Sequence, residues 1–245
     1  MKLLSLLLVM ISRVPALLAL LVLGSGLSPG AAQDGDPFQP IRERMVTRQL
    51  MARGISDARV LMAMGKVPRH LFVPERVQDL AYGDHPLPIG SGQTISQPYI
   101  VALMTEWAEI KGGDKVLEVG TGSGYQAAVL AEITDKIFSI DIRPELAEKA
   151  ASLLQSLGYR QVKVKSGDGY QGWQEEAPFD AILVTAAASK VPPALEAQLR
   201  EGGRLIIPVG PPGGVQTLFR YRKAQGKLLE ESRVPVAFVP LVEPK

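Results

Sequence analysis

The chemistry legible in this chain gathers around acids and glycines at fixed intervals. Glu118 lies inside the apolar run 116–119, and Gly120, Gly122 and Gly124 follow at every second position. A ligand can rest against peptide backbone only where no Cβ intervenes and positive φ is allowed, which suits these glycines to a cofactor cradle. Asp141 follows Gly120 by about twenty residues, the interval at which an acid ending the next strand binds a ribose diol. A bare acid there also argues against a 2′-phosphate. Asp168, between Gly167 and Gly169, could accept from an adenine amino group. Each acid alone reads more readily as a loop residue; in this order with the glycines, they read together as a nucleoside site.

Ser96 is the other candidate. It precedes Gln97-Pro98, where a helix over 99–110 is expected to start. As an N-cap its hydroxyl would accept from the backbone. As a functional group it would stand at the positive end of a helix, suited to a substrate carboxylate. A serine nucleophile is disfavoured, because the local string is not G-x-S-x-G and no histidine is evidently placed to activate it. The histidines, His70 and His85, lack a third at ligand spacing and read as surface or hydrogen-bonded groups, so no metal is expected. With no cysteine there is no disulfide, thiolate site or cysteine nucleophile. The net charge of +2 is not collected into a basic tract, so nucleic acid is not an expected partner.

These residues need elements to hold them. The run 116–119 reads as a buried strand opening onto a tight turn and a helix starting near Tyr125. Strands over 136–140, 162–164, 181–184 and 205–209 alternate with helices over 144–157 and 193–199. Repeated βαβ units give an α/β, doubly wound, Rossmann-like fold, with a mostly parallel central sheet and helices on both faces. Gly120, Asp141 and Asp168 then fall at strand C-terminal ends, where such sheets bind ligands. Upstream, Asp36 is the expected cap of a helix with Ile41, Met45, Val46, Leu50 and Met51 on its inner face, ended by Gly54. Ser56 is the expected cap of a second helix, running out before Pro68. The stretch 67–98 reads as an ordered covering loop. Runs 217–223 and 228–239 look like an antiparallel pair closing the sheet edge.

Residues 1–32 carry a positive start, a broken apolar stretch and a small-residue exit, which resembles a secretory leader. The expected organisation is a leader over 1–32 and one domain over 33–245. Within that domain, helices and covering loop occupy 33–110, a cofactor core 111–210 and a β extension 211–245. Export to the periplasm is expected if the leader functions, and the cytoplasm otherwise. No stable membrane association is expected once the leader is removed.

The form E-x-G-x-G-x-G resembles the first motif of class I S-adenosylmethionine methyltransferases. A dinucleotide fingerprint would need glycine at Tyr125, which disfavours a nicotinamide-dependent dehydrogenase. Beyond that motif stand V-P-R-H-L-F-V-P at 67–74, A-Y-G-D-H-P-L-P-I-G at 81–90 and G-Q-T-I-S-Q-P-Y at 92–99. G-D-G-Y-Q-G-W follows at 167–173, A-P-F-D-A-I-L-V-T-A-A-A at 177–188 and G-G-R-L-I-I-P-V-G at 202–210. With these strings in order, the chain is similar to the protein-L-isoaspartate (D-aspartate) O-methyltransferases from about Arg42 to Val242. The resemblance implies methyl transfer from S-adenosyl-L-methionine to the α-carboxylate of isoaspartyl, and on the family name D-aspartyl, residues in flexible segments of damaged proteins. It marks Ser96 as catalytic. It assigns Gln93, Thr94, Ile95, Glu118, Gly120, Gly122, Ser123, Gly124, Asp141, Gly167 and Asp168 to the cofactor, and Asp84, Thr94, Ser96 and Val209 to the substrate. The leader departs from typical cytoplasmic members, and Asp141 stands where bacterial relatives often have glutamate. A monomer is expected. A non-catalytic cofactor-binding extracytoplasmic protein remains the other class open at this point.

Overall fold

Residues 36–211 and 213–242 are described by the computed structural model; the leader reading falls outside them. Asp36 accepts from the Phe38 amide at 2.9 Å and bonds Arg42 Nη1 at 2.7 Å. Helix α1 (Gln39–Met45) therefore starts after Phe38 rather than directly after Asp36. The chain loosens into a π-helical stretch, Val46–Leu50, and a 3-10 turn, Met51–Arg53, before Gly54. Met45 and Leu50 are buried as expected, but Ile41 and Met51 are exposed and Arg42 is buried. The cause is polar: Arg42 Nε donates to Gly65 O at 2.7 Å and Nη1 reaches the Tyr82 hydroxyl at 3.2 Å. Helix α2 (Ala58–Lys66) is capped by Asp57, which accepts from the Arg59 amide. Ser56 is not the cap, since its amide donates to Glu106 Oε1 at 2.7 Å.

The covering segment is ordered by 3-10 turns, Arg69–Phe72 and Glu75–Leu80, and by an unexpected antiparallel hairpin of β1 (Leu87–Gly90) and β2 (Gln93–Ile95). Pro86 and Pro88 break the alternation by which strands are normally read. Helix α3 (Pro98–Trp107) begins on Pro98, whose missing N–H costs nothing in a first turn.

The remaining elements are β3 (Lys115–Val119), α4 (Tyr125–Ala131), β4 (Lys136–Asp141), α5 (Pro144–Ser156) and β5 (Val162–Ser166). They continue with β6 (Phe179–Val184), α6 (Pro193–Gln198), β7 (Leu199–Val209), β8 (Gln216–Ala224) and β9 (Lys227–Val236). The sheet order is β5-β4-β3-β6-β7-β8-β9. Pairing is parallel from β5 to β7 and antiparallel from β7 to β9, so the tail does close the edge.

Alternate residues of the central strands feed separate cores on the two faces. Val116, Leu183 and Ile206 pack with α2, α3 and α4, while Leu117, Ile182 and Leu205 pack with Leu195 of α6. Each such fully buried side chain contributes roughly 1.5–3 kcal/mol. Strand order reverses between β3 and β6, and the crevice at such a switch point is where open α/β sheets bind ligands.

Candidate active site

Backbone leaving β3 is stapled to its neighbours on both sides. The Gly120 amide donates to Ile140 O at 2.8 Å, and Thr185 Oγ1 donates to Gly120 O at 2.6 Å. Gly120 has φ +102°, and a Cβ there would collide with the Thr185 hydroxyl, so any other residue is strained and must push the Thr185 side chain aside. Asp141 ties the turn to β4, accepting from the Gly122 amide at 2.8 Å and the Arg143 amide at 2.9 Å. Each of its oxygens keeps capacity for a further donor.

A cavity opens over this turn. The hairpin and the connection to α3 supply Gln93, Thr94, Ile95 and Ser96; the strand ends and turn supply Glu118, Gly120, Gly122, Ser123 and Asp141. A neighbouring compartment shares Gln93, Gly120 and Asp141 and continues past Ile142 and Gly169 to Leu241. On another side lies a cavity of 420 Å³ bounded by Ile100, Pro235 and Phe238, with Thr94, Ser96, Thr185 and Val239 common to it and the first.

Glu118 is fully buried. Ser139 Oγ donates to its Oε2 at 2.5 Å, and Thr121 Oγ1 lies 2.6 Å from Ser139 Oγ. Burial pushes the Glu118 carboxyl up to about 8; the Ser139 bond works against that rise and the Asp141 charge adds to it. Its Oε1 has no hydrogen-bond partner among the described residues. The same holds for Gln126 Oε1, although Gln126 Nε2 donates to Thr105 Oγ1 at 2.9 Å. Both residues line the first cavity. Buried acceptors left unpaired are costly, and these suit a ligand carrying a cation with several protons, such as an amino-acid ammonium.

Ser96 lies just outside α3, whose N-cap is Gln97 and has no side-chain cap bond. The capping role considered for Ser96 is therefore not the one it takes. Its carbonyl accepts from Arg69 Nη2 at 2.7 Å. Its half-buried hydroxyl makes no hydrogen bond to a described residue and borders both cavities. Other predicted residues sit elsewhere. Gly124 caps α4, and a Cβ there would press on Leu154 and Ala150 of α5 at 3.2–3.3 Å, so its smallness serves helix packing. Gly167 lies against Ile140, and Asp168 turns back to the Tyr170 amide at 2.9 Å; Gly169 is the member of that turn that lines the far compartment. Asp84 pairs with Arg53 at 2.8 Å, and its carbonyl accepts from Gln97 Nε2 at 3.1 Å. Val209 bridges to Ala188. Neither Asp84 nor Val209 lines the three cavities described.

Sequence reasoning missed Thr185, Gln126, Phe238 and Val239. For Thr185 a signal existed: it directly follows the strand expected over 181–184. His70 Nδ1 lies 2.8 Å from the Tyr82 hydroxyl and its ring stacks on Phe38, while His85 is exposed.

A family model described as Protein-L-isoaspartate(D-aspartate) O-methyltransferase (PCMT) matches residues 41–245. The protein-L-isoaspartate O-methyltransferase of Opitutus terrae is 57% identical over 204 residues, covering 83% of this chain and 88% of that protein. Protein-L-isoaspartate O-methyltransferase 1 of Syntrophobacter fumaroxidans is 61% identical over 173 residues, covering 71% and 81%. A solved protein-L-isoaspartate O-methyltransferase superposes with TM-score 0.75 at 30% identity, covering 82% of this chain and 66% of that longer one. A Plasmodium falciparum structure named for the same activity, in complex with S-adenosyl-L-homocysteine, gives TM-score 0.71 at 28% identity, covering 82% and 98%. These matches favour neither a dehydrogenase nor a non-catalytic binding protein. A glycine turn at the switch point and a serine set between two cavities thus meet a likeness that runs through residues 41–245, and the chain belongs to the protein-L-isoaspartate (D-aspartate) O-methyltransferases, enzymes dependent on S-adenosyl-L-methionine.

Proposed function

We propose that the chain methylates the α-carboxylate of isoaspartyl residues at the wall shared by the cavity over the glycine turn and the 420 Å³ cavity beside it, with Ser96 and Thr94 holding the acceptor. The observation that carries this reading is that Thr94, Ser96, Thr185 and Val239 border both the cavity over the glycine turn and the 420 Å³ cavity beside it. The unpartnered Oε1 atoms of Glu118 and Gln126 fit the ammonium end of S-adenosyl-L-methionine, and Asp141 fits its ribose. When bound, the cofactor supplies a sulfonium-activated methyl group.

What remains for the chain is placement. A carboxylate is ionised near neutral pH, so no general base is needed. Ser96 Oγ, free of other partners among the described residues, can donate to one carboxylate oxygen and leave the second directed at the donor cavity. Val101, Ile100 and Phe238 supply apolar wall, which keeps water from opposite charges that vanish on transfer. Among the described residues the acceptor cavity has no charged side chain in its lining, which suits an extended, flexible segment of variable sequence. The following backbone amide nitrogen can then attack the ester carbonyl, its proton leaving with the methoxide as methanol, to give a succinimide that hydrolyses in part to normal aspartate.

Isoaspartyl peptide with labelled S-adenosyl-L-methionine should yield base-labile methyl ester, and the matching aspartyl peptide should not. Equal labelling of the two would reject the reading. Ser96→Ala should lower kcat by about 10- to 100-fold with cofactor affinity retained; loss of cofactor binding with normal turnover at saturation would contradict the role given to Ser96. We further read residues 1–32 as an export leader of a monomeric enzyme. No helix among the described residues is long and apolar enough to cross a membrane. N-terminal sequencing of fractionated cells tests export, and an intact Met1 in the cytosol rejects it.

A further inference from the structure

Arg69 is the most buried cation of the described chain, with no exposed surface and no carboxylate partner. Isolated charges are rarely kept in a protein interior without a task, because the desolvation cost is large. Its hydrogen bonds go to backbone. Nε donates to Ala81 O at 2.7 Å and Nη2 to Ser96 O at 2.7 Å. The guanidinium carbon lies 4.9 Å from the centre of the Tyr125 ring, and Tyr125 opens α4 and lines the cofactor cavity. Burial lowers its pKa to about 10, which leaves it charged at neutral pH. One planar group thus joins the covering segment, the connection carrying Ser96 and the helix after the glycine turn.

We propose that Arg69 is a positioning residue for methyl transfer, fixing the Ser96 peptide so that the Ser96 hydroxyl stays at the boundary of donor and acceptor cavities. This rests on the acceptor role given to Ser96 above. The Ser96 hydroxyl has no hydrogen-bond partner among the described residues, so the backbone that places its Cβ decides which positions the hydroxyl can reach. The carbonyl grip on one side and Pro98, which locks the entry to α3, on the other define that backbone. An arginine that instead paired with the substrate would stabilise a charge that is lost in the transition state, and would slow transfer. Arg69 instead directs Nε and Nη2 at main-chain oxygens, and its buried Nη1 has no hydrogen-bond partner among the described residues. A lysine could keep the charge but not bridge Ala81 O and Ser96 O with one rigid plane.

The test compares wild type, Arg69→Lys and Arg69→Gln with isoaspartyl peptide and S-adenosyl-L-methionine, beside S-adenosyl-L-homocysteine affinity and thermal unfolding. A misplaced acceptor contact predicts a kcat fall of about 10- to 100-fold in both variants, with S-adenosyl-L-homocysteine affinity held within about threefold. Arg69→Lys should recover stability over Arg69→Gln without recovering kcat, a split that a purely structural role would not give. A kcat fall below fivefold, or one matched by equal loss of cofactor affinity, overturns the proposal. Should neither variant fold, the Nη2–H resonance of Arg69 in wild type, the donor to Ser96 O, is followed during titration with isoaspartyl peptide and then in Ser96→Ala. A shift in wild type that is lost in Ser96→Ala supports the coupling; an unmoved resonance refutes it. Weak activity in Ser96→Ala itself, with Arg69 variants normal, would sink this inference while leaving the role of Ser96 intact.

Discussion

Cofactor affinity should depend on pH through Glu118, and Glu118→Gln should abolish that dependence. The carboxyl has no exposed surface, and burial sets its pKa near 8 against an ordinary value of 4.5. At pH 7 about nine in ten cofactor-free molecules then hold it protonated. An ammonium settling on Oε1 needs the carboxylate, so binding at pH 7 should release about 0.9 proton, and affinity for S-adenosyl-L-homocysteine should rise about ninefold from pH 6 to 7. Titration calorimetry in buffers of different ionisation heat measures both quantities. In Glu118→Gln the proton release disappears and the affinity is flat across that window. A charge-assisted hydrogen bond of roughly 1.5–3 kcal/mol is lost, offset by the ~1.4 kcal/mol no longer needed for deprotonation at pH 7, so the variant binds a few-fold more weakly. Stability carries an independent signature. The folded-state pKa lies above the unfolded one, so between about pH 4.5 and 8 the folded state holds a proton that the unfolded state has released. This group therefore makes wild type lose stability as pH rises through that window, by up to ~1.4 kcal/mol per pH unit. Thermal unfolding should show Glu118→Gln gaining on wild type from pH 5 to 8. Wild-type affinity that does not change between pH 6 and 7, with no proton release, would refute the reasoning.

Gly120→Ala must place a Cβ against the Thr185 hydroxyl at positive φ. It should cost about 1–3 kcal/mol of stability in thermal unfolding and weaken S-adenosyl-L-homocysteine binding, and a variant with wild-type values for both would remove the close-approach argument. Asp141→Asn leaves one acceptor oxygen where the Gly122 and Arg143 amides both donate. Cofactor affinity should fall about tenfold with kcat at saturation retained, and unchanged affinity in calorimetry would remove Asp141 from the cofactor site.

Much of the architecture could be read in order along the chain. Apolar runs ended by glycine or acid gave β3 and β4, the apolar run 181–184 gave most of β6, and proline at first-turn positions gave the starts of α3, α5 and α6. The hairpin of β1 and β2 escaped because proline disrupts its alternation. Caps were misread where a competing donor or acceptor came from afar. Ser56 answers to Glu106, fifty residues on, and Asp36 is drawn to Arg42, which Gly65 O and Tyr82 pull inward.

By itself the sequence determined which backbone could approach a ligand, since glycine spacing, strand acids and the Q-T-I-S string are local facts set by side-chain chemistry. Tertiary structure alone decided what each group faces. It turned Gly124 toward α5, joined Arg69 to the Ser96 carbonyl across 27 residues, and set Thr185 against Gly120 across 65. It also brought Phe238 and Val239 back to Ser96 after β8 and β9 had closed the sheet. The physical reason is that such partners are chosen by packing between faces of a finished sheet, and periodicity along a chain does not record which distant residue will occupy the neighbouring face.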